Sequence, residues 1–265
     1  MKYALIDSGD QKKLERFGSV TLVRPCGQAL WKPSNSDWTA DATFSREGKK
    51  GWDGETPDSW ICEHEGIKFR LSATDFGHVG VFPEHSFLWK WAKDQVKPGS
   101  RILNLFAYSG AATLALAKAG AEVCHVDASQ GMVKWARDNA ALNGLQESPI
   151  RWIIDDVLKF LKREIRRGRT YDGILLDPPS FGRGAKGEVF KIERDINELL
   201  NLCKQLLSDN PLFVICSNHT NTFTPTVMHH LLDEVFGGHI EVGELLLKAE
   251  KGRDIPTGTY ARWTP

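Results

Sequence analysis

From residue 101 onward the sequence alternates short apolar runs with longer amphipathic stretches, and this restricts the fold more than any other feature. The apolar runs are Ile102–Phe106, Glu122–Asp127, Arg151–Asp155, Tyr171–Asp177 and Pro211–Ser217. Helical patterns over 110–119, 129–142, 157–167 and 188–208 separate them. A further helix starts near Pro225, since proline suits a first helical turn. Two β segments, 239–248 and 257–263, finish the chain. Strands and helices in strict alternation give an α/β fold, a mostly parallel sheet with helices on both faces. Such sheets bind ligands beyond the carboxyl ends of their strands, and the residues with chemical potential fall at those ends.

The first strand runs into Phe106-Ala-Tyr-Ser-Gly110 and then at once into an alanine-rich helical pattern. Glycine lets the backbone approach a ligand closely, and the helix N-terminus behind it offers unpaired N–H groups and partial positive charge. The turn suits an anionic or carboxylate-bearing ligand. It has one glycine and lacks the G-x-G-x-x-G spacing of dinucleotide sites, which weighs against a dehydrogenase. Asp127 ends the second strand seventeen positions after Gly110, near the offset at which an acid meets ribose hydroxyls. Asp155-Asp156-Val157 repeats the arrangement one strand later. Alternation turns Asp156 toward the cleft, where it can accept from an adenine amino group. A helix N-cap is the competing role, and the two acids can divide the work. Asp177-Pro178-Pro179-Ser180-Phe181 closes the fourth strand. Its prolines hold extended backbone without N–H groups, so carbonyls and Asp177 remain as acceptors beside the flat ring of Phe181. A planar, amino-bearing nucleobase fits such a turn. Glu84 and His85, just after Pro83 at a helix start, are further candidates to face the ligand. The alternative for Glu84 is a solvated first turn, where an acid favours the helix dipole.

Lysine plus arginine equals aspartate plus glutamate at 34 each, so any nucleic-acid contact surface is local. Arg183 and Lys186, in the glycine-rich stretch after Phe181, are candidates for phosphate contact. Lys159, Lys162, Arg163, Arg166, Arg167 and Arg169 are weaker ones, because a highly charged helix is ordinarily a solvated face. The five cysteines are widely spaced with no C-x-x-C pair, which argues against a disulfide framework or a zinc site and fits a reducing cytoplasm. No apolar run reaches membrane-spanning length, and the first residues lack a signal-peptide core. Residues 1–71 are expected to form a small β-rich domain, with 34–59 as a long loop or strand extension. Trp31, Trp38, Trp52 and Trp60 are read as closing its core rather than stacking on bases.

Four stretches together resemble a known family. Asn104-Leu-Phe-Ala-Tyr-Ser-Gly110, His125-Val-Asp127-Ala-Ser129, Asp155-Asp156-Val157 and Asp177-Pro-Pro-Ser-Phe181 look like the cofactor loop, ribose motif, adenine motif and catalytic loop of class I S-adenosylmethionine-dependent methyltransferases. The resemblance is to the branch that contains bacterial large-subunit ribosomal RNA cytosine-C5 methyltransferases. It extends more loosely through Phe76–His85 and Phe213–Ser217, and residues 1–70 do not match the small RNA-binding domain that many relatives carry. It implies a Rossmann-like methyltransferase domain over 72–265, S-adenosylmethionine as cofactor, and an RNA base as substrate, with ribosomal RNA and cytosine C5 favoured. Cofactor-binding roles then fall on Asn104, Phe106, Tyr108, Ser109, Gly110, Asp127, Ala128, Ser129, Asp156, Val157, Asp177 and Glu84. Substrate contacts fall on Pro178, Pro179, Phe181, Arg183 and Lys186.

Two chemistries stay open. Carbon 5 of a pyrimidine is a weak nucleophile, so such enzymes usually add a cysteine thiolate to the ring first. Cys216, ending the fifth strand, is the cysteine placed for this, with Asp177 orienting the ring. A free cysteine in an apolar strand can instead be a small core residue. Asp177 and the Pro178 carbonyl would then hold an exocyclic amine or other nucleophile in line with the methyl group. A dehydrogenase and a non-catalytic cofactor-binding module are the rival classes.

Overall fold

The computed structural model describes residues 2–35, 37–48, 50–184 and 187–265. The chain forms two compact units, Met1–Ser86 with Leu246–Thr257, and Phe87–Leu245 with Gly258–Pro265. The division falls at Ser86, whereas the sequence placed the start of the larger domain near 72, and the first unit takes back a stretch near the C-terminus.

The first unit is β-rich. Strands β1 (Tyr3–Gly9), β2 (Lys12–Phe17), β3 (Val20–Pro25), β4 (Ala42–Ser45) and β5 (Gly51–Gly54) form one sheet in chain order, and β6 (Trp60–His64) pairs with β7 (Ile67–Leu71). The polar stretch 34–59 thus holds two strands, paired so that Phe44 faces Trp52 at 5.2 Å. The tryptophans belong to the β framework. Trp60 is buried, Trp52 donates to the Thr74 carbonyl at 2.8 Å, Trp31 to that of Ser8 at 2.9 Å, and Trp38 to Asp7 at 3.0 Å. Leu247 and Ile255 pack with Leu5, Cys26 and Ala29, which is why 246–257 joins this unit.

The second unit carries α1 (Ser86–Gln95), β8 (Arg101–Leu105), α2 (Ala111–Lys118), β9 (Glu122–Asp127), α3 (Gln130–Leu142), β10 (Ile150–Ile154), α4 (Val157–Arg166) and β11 (Gly173–Leu176). It continues through β12 (Phe181–Arg183), β13 (Val189–Lys191), α5 (Ile192–Gln205), β14 (Phe213–Asn218), α6 (Pro225–Phe236) and most of β15 (His239–Leu247) and β16 (Ile255–Thr264), whose ends within 246–257 belong to the first unit. The sheet order is β10-β9-β8-β11-β14-β16-β15, with β16 antiparallel to β14 and the strands from β10 to β14 parallel. The chain runs outward from β8 to β10 and returns to β11 on the other side of β8, so the direction of winding switches between β8 and β11.

Strand alternation sorts the sheet's faces. Leu103, Leu105, Cys124, Val126, Ile174, Leu176, Val214 and Cys216 share one core with Phe160 of α4, Leu199 of α5 and Met228 of α6. The residues between them, including Asn104, His125 and Ser217, belong to the opposite face. The helix expected over 188–208 begins only at Ile192, because Val189-Phe190-Lys191 pairs as a strand and buries Phe190 against Phe106 at 5.2 Å. Asp195 then accepts from the Lys191 N–H at 2.8 Å and satisfies the helix start. Among the described residues, no helix is long and apolar enough to cross a membrane.

Candidate active site

The parallel strands end in register. Leu105 lies level with Val126 and Leu176, Leu176 with Cys216, and Asp127 with Ile154. Residues 155–157, 127–129, 106–110, 177–181 and 217–220 therefore follow one another, in that order, along a single edge, about 19 Å wide at ordinary strand spacing.

The loop after β8 is strained. Phe106 (φ 54°) and Tyr108 (φ 49°) take left-handed backbone without being glycine, and Gly110 (φ 92°) does the same at the helix entrance. Such conformations persist only where surroundings enforce them, and they gather at functional sites. The enforcement is visible here: Asp127 accepts from the Tyr108 N–H and the Ser129 N–H, each at 2.9 Å, one on each carboxylate oxygen. Each oxygen keeps a further lone pair. Burial pushes the Asp127 carboxyl above its usual range, opposed by those two N–H bonds. Asn139 of α3 donates to the Ser109 carbonyl at 3.1 Å. A Cβ on Gly110 would lie 3.0 Å from the Ala136 Cβ, so the glycine lets this turn lie against α3.

Asn104 supports the loop from behind. It is buried and donates to Thr113 Oγ1 at 2.9 Å, which in turn meets His125 Nδ1 at 2.9 Å. Burial and the nearby Arg137 pull the His125 pKa down to about 3, so the ring is neutral at physiological pH. Thr113 and Asn139 were missed in the sequence. Their only signal was a polar residue at an inward position of a helix.

Asp156 takes the N-cap role of α4, accepting from the Lys159 N–H at 2.9 Å, and Val157 is buried behind it. Asp155 pairs with Arg163 and accepts from the Asp156 N–H at 2.9 Å. The basic face of α4 is largely neutralised: Lys159 meets Glu188 and Lys162 meets Glu198, both at 2.6 Å, and Arg167 meets Glu164 at 3.1 Å. Glu84 sits in a 3-10 turn, Pro83–His85, of the N-terminal unit and is buried rather than solvated.

Beyond β11, Asp177 Oδ1 accepts from the Ser217 hydroxyl at 2.7 Å and lies 3.9 Å from His219 Nε2. Pro178 is buried, while Pro179, Ser180 and Phe181 are exposed, Phe181 by 49%. The Arg183 guanidinium stands 5.6 Å from the Phe181 ring centre, and Lys186 lies outside the described residues. Cys216 is 1% exposed, and its side chain belongs to the core beneath α5 and α6. Burial, then the Asp177 charge, push its thiol far above the ordinary range. Its neighbour Ser217 is the β14 residue that touches Asp177, and the sequence reading passed over it.

A family model described as S-adenosylmethionine-dependent methyltransferase matches residues 42–236. The chain belongs to this family. Its structure also superposes on a SAM-dependent methyltransferase from Agrobacterium tumefaciens, with a TM-score of 0.95 and 40% identity, covering 100% of this chain and 91% of that one. Among curated relatives, Ribosomal RNA large subunit methyltransferase K/L of Pseudoalteromonas translucida (strain TAC 125) is 31% identical over 224 residues, which is 82% of this chain and 30% of that protein. The protein of the same name from Shewanella frigidimarina (strain NCIMB 400) is 35% identical over 160 residues, 60% of this chain and 22% of that one. The chain thus spans less than a third of these two relatives. The family's cofactor is S-adenosylmethionine, and the rim suits it. It offers a strained turn, a glycine whose Cβ would crowd α3, and a carboxylate at the end of β9.

Proposed function

We propose that this methyltransferase acts on a base of RNA, ribosomal RNA foremost, by direct transfer to a nitrogen held at the Asp177-Pro178-Pro179 turn. S-adenosylmethionine, when bound, supplies an electrophilic methyl group on a positively charged sulfur. On this reading the 106–110 loop, Asp127 and Ser129 hold the cofactor. Asp177 and the Pro178 carbonyl accept from the amino group of the base, and Phe181 stacks on its ring. The acceptor nitrogen would give its lone pair to the methyl carbon as the methyl–sulfur bond breaks with its electron pair staying on sulfur, and would then lose one proton, for which the Asp177 carboxylate is the adjacent base. Orientation supplies most of the rate enhancement, since aligned reactants gain up to about 7–11 kcal/mol over free encounter.

One observation carries the choice of nitrogen over cytosine C5. The C5 route needs Cys216 as a thiolate, and that thiol is buried in the helix-side core with its pKa raised. The names of the curated relatives and the exposed Phe181 with Arg183 beside it favour RNA as the partner. An RNA substrate would place the work in the cytoplasm, which five unpaired cysteines suit. The test is transfer of labelled methyl from S-adenosylmethionine into fractionated cell RNA, protein and small molecules, followed by nucleoside analysis. Label in an N-methylated base is expected. Recovery as 5-methylcytidine would overturn the direct route, and label confined to protein or small molecules would overturn RNA.

A further inference from the structure

We infer that Ser217 is a positioning residue for methyl transfer, its buried hydroxyl fixing the orientation of the Asp177 carboxylate toward the acceptor. This rests on the reading that Asp177 holds that acceptor. β11 and β14 are adjacent and parallel with Leu176 level with Cys216, so the next residue on each, Asp177 and Ser217, emerges side by side on the face opposite Cys216. Ser217 is 4% exposed and is paired to Tyr260 of β16 on its other side, so its backbone has no freedom to drift. A serine hydroxyl has a single hydrogen to give. That hydrogen goes to Asp177 Oδ1 over 2.7 Å, within the range of a charge-assisted bond.

The far end of the same turn is tied to the same segment. Ser180 Oγ and Thr220 Oγ1 are 2.6 Å apart, and the Ser180 carbonyl accepts from the Ile192 N–H at 3.2 Å. Thr220 is itself anchored by its N–H to the side-chain oxygen of Asn218, which is fully buried. Residues 177 and 180 are thus fastened to 217 and 220. The two prolines between them have no N–H with which to make such ties.

The experiment is single-turnover methyl transfer to RNA by Ser217→Ala, Ser217→Cys and Ser217→Thr, with S-adenosylmethionine binding measured by calorimetry. Losing a hydrogen bond to a charged group predicts a rate about 10- to 100-fold lower in Ser217→Ala, with cofactor affinity within twofold of wild type. Ser217→Cys keeps the shape but is a weak donor, so it falls between. Ser217→Thr keeps the hydroxyl and recovers most of the rate. In an Asp177→Ala background, which removes the acceptor altogether, Ser217→Ala should change the residual rate by less than twofold. An unchanged rate in both Ser217→Cys and Ser217→Ala overturns the inference. So does an equal loss with and without the Asp177 carboxylate, since that marks a merely structural serine. If Ser217→Ala does not fold, the near-isosteric Cys variant and its Asp177→Ala double decide alone. Absence of transfer to RNA by the wild-type protein sinks the RNA reading, whereas wild-type transfer with insensitivity to Ser217 sinks only this inference.

Discussion

Replacing Cys216 by alanine separates the two chemistries, because they predict very different outcomes. As a core residue, Cys216 contributes one buried sulfur at 1% exposure, among Val214, Leu176 and Cys203. Deleting it resembles removal of one or two buried methylenes, about 1–2 kcal/mol including the small cavity. For a unit of this size that lowers Tm by about 2–8 °C. A domain stable by about 5–15 kcal/mol stays folded through such a loss, so the transfer rate should remain within about twofold of wild type. A nucleophile behaves otherwise, since removing one costs on the order of a millionfold in enzymes that depend on it. The thiol's environment already points one way. An ordinary cysteine is only a few per cent thiolate at pH 7, and each unit of upward shift removes another tenfold. Burial and the Asp177 charge both shift Cys216 upward. The assay is single-turnover transfer of labelled methyl by the two proteins, beside their melting curves. A loss beyond about a thousandfold in a variant that still melts within a few degrees of wild type would refute the direct route.

Other perturbations probe the site and its support. Gly110→Ala places a side chain at φ 92° and 3.0 Å from Ala136, so about 1–2 kcal/mol of stability and about tenfold or more of S-adenosylmethionine affinity should go, and a normal dissociation constant would remove the loop from the cofactor site. Asp127→Asn keeps the shape but loses the charge, and calorimetry should show cofactor affinity weakened by about tenfold or more together with a lower Tm, because the same carboxylate fastens Tyr108 and Ser129. Glu164 is fully buried and accepts from Arg151 at 2.6 Å, Tyr171 at 2.7 Å and Arg167 at 3.1 Å. Burial alone would raise its pKa, but the bonds from Arg151, Tyr171 and Arg167 hold it below the usual value. A lowered folded pKa means stabilisation that is complete above about pH 4.3 and fades as the pH falls through the folded value. Glu164→Gln should cost about 3–5 kcal/mol at pH 7 with a gap to wild type that narrows below pH 4, and a gap constant down to pH 2 would be the contrary result.

The sheet and its rim were legible because both depend on local pattern. Five apolar runs divided by helical periodicity leave few topologies, and in a parallel sheet the acids that follow the runs must fall on one edge. Asp127 and Asp177 could be found this way because each closes its apolar run, Asp127 as the last residue of β9 and Asp177 as the first beyond β11. Three features could not be read locally. The hairpin of β12 and β13 consists of three-residue strands among glycines, too short for any period to register. The membership of 246–257 in the first unit depends on Leu247 and Ile255 meeting Leu5, and sequence does not say which core accepts an apolar pair. The roles of Cys216 and Ser217 hinge on which face of β14 looks toward the acceptor. Alternation separates two faces without naming them, so chemical reactivity drew attention to the thiol while the hydroxyl next to it made the contact.

The two halves of the rim are held by different kinds of bond, and this difference has a consequence for how the site can change. Around β8 and β9, above the buried Asn104–Thr113–His125 chain, the loop itself is tied from backbone N–H groups of Tyr108 and Ser129 to one carboxylate, and from Asn139 to a backbone carbonyl. Substituting the loop's own side chains leaves those donors and acceptors in place, so residues 106–109 can vary while the cofactor half keeps its geometry. Around β11 and β14, apart from the Ser180 carbonyl's bond from the Ile192 N–H, the ties run from side chain to side chain, Ser217 to Asp177 and Ser180 to Thr220. Each of these can be lost by a single substitution that leaves the sheet beneath it intact. On the proposed reading, acceptor choice can drift through three small residues, Ser180, Ser217 and Thr220, without disturbing cofactor binding. Variants at 180, 217 and 220 should therefore alter the rate, or the base that is methylated, at constant S-adenosylmethionine affinity. A parallel fall in cofactor affinity across that set would show instead that the two halves move as one.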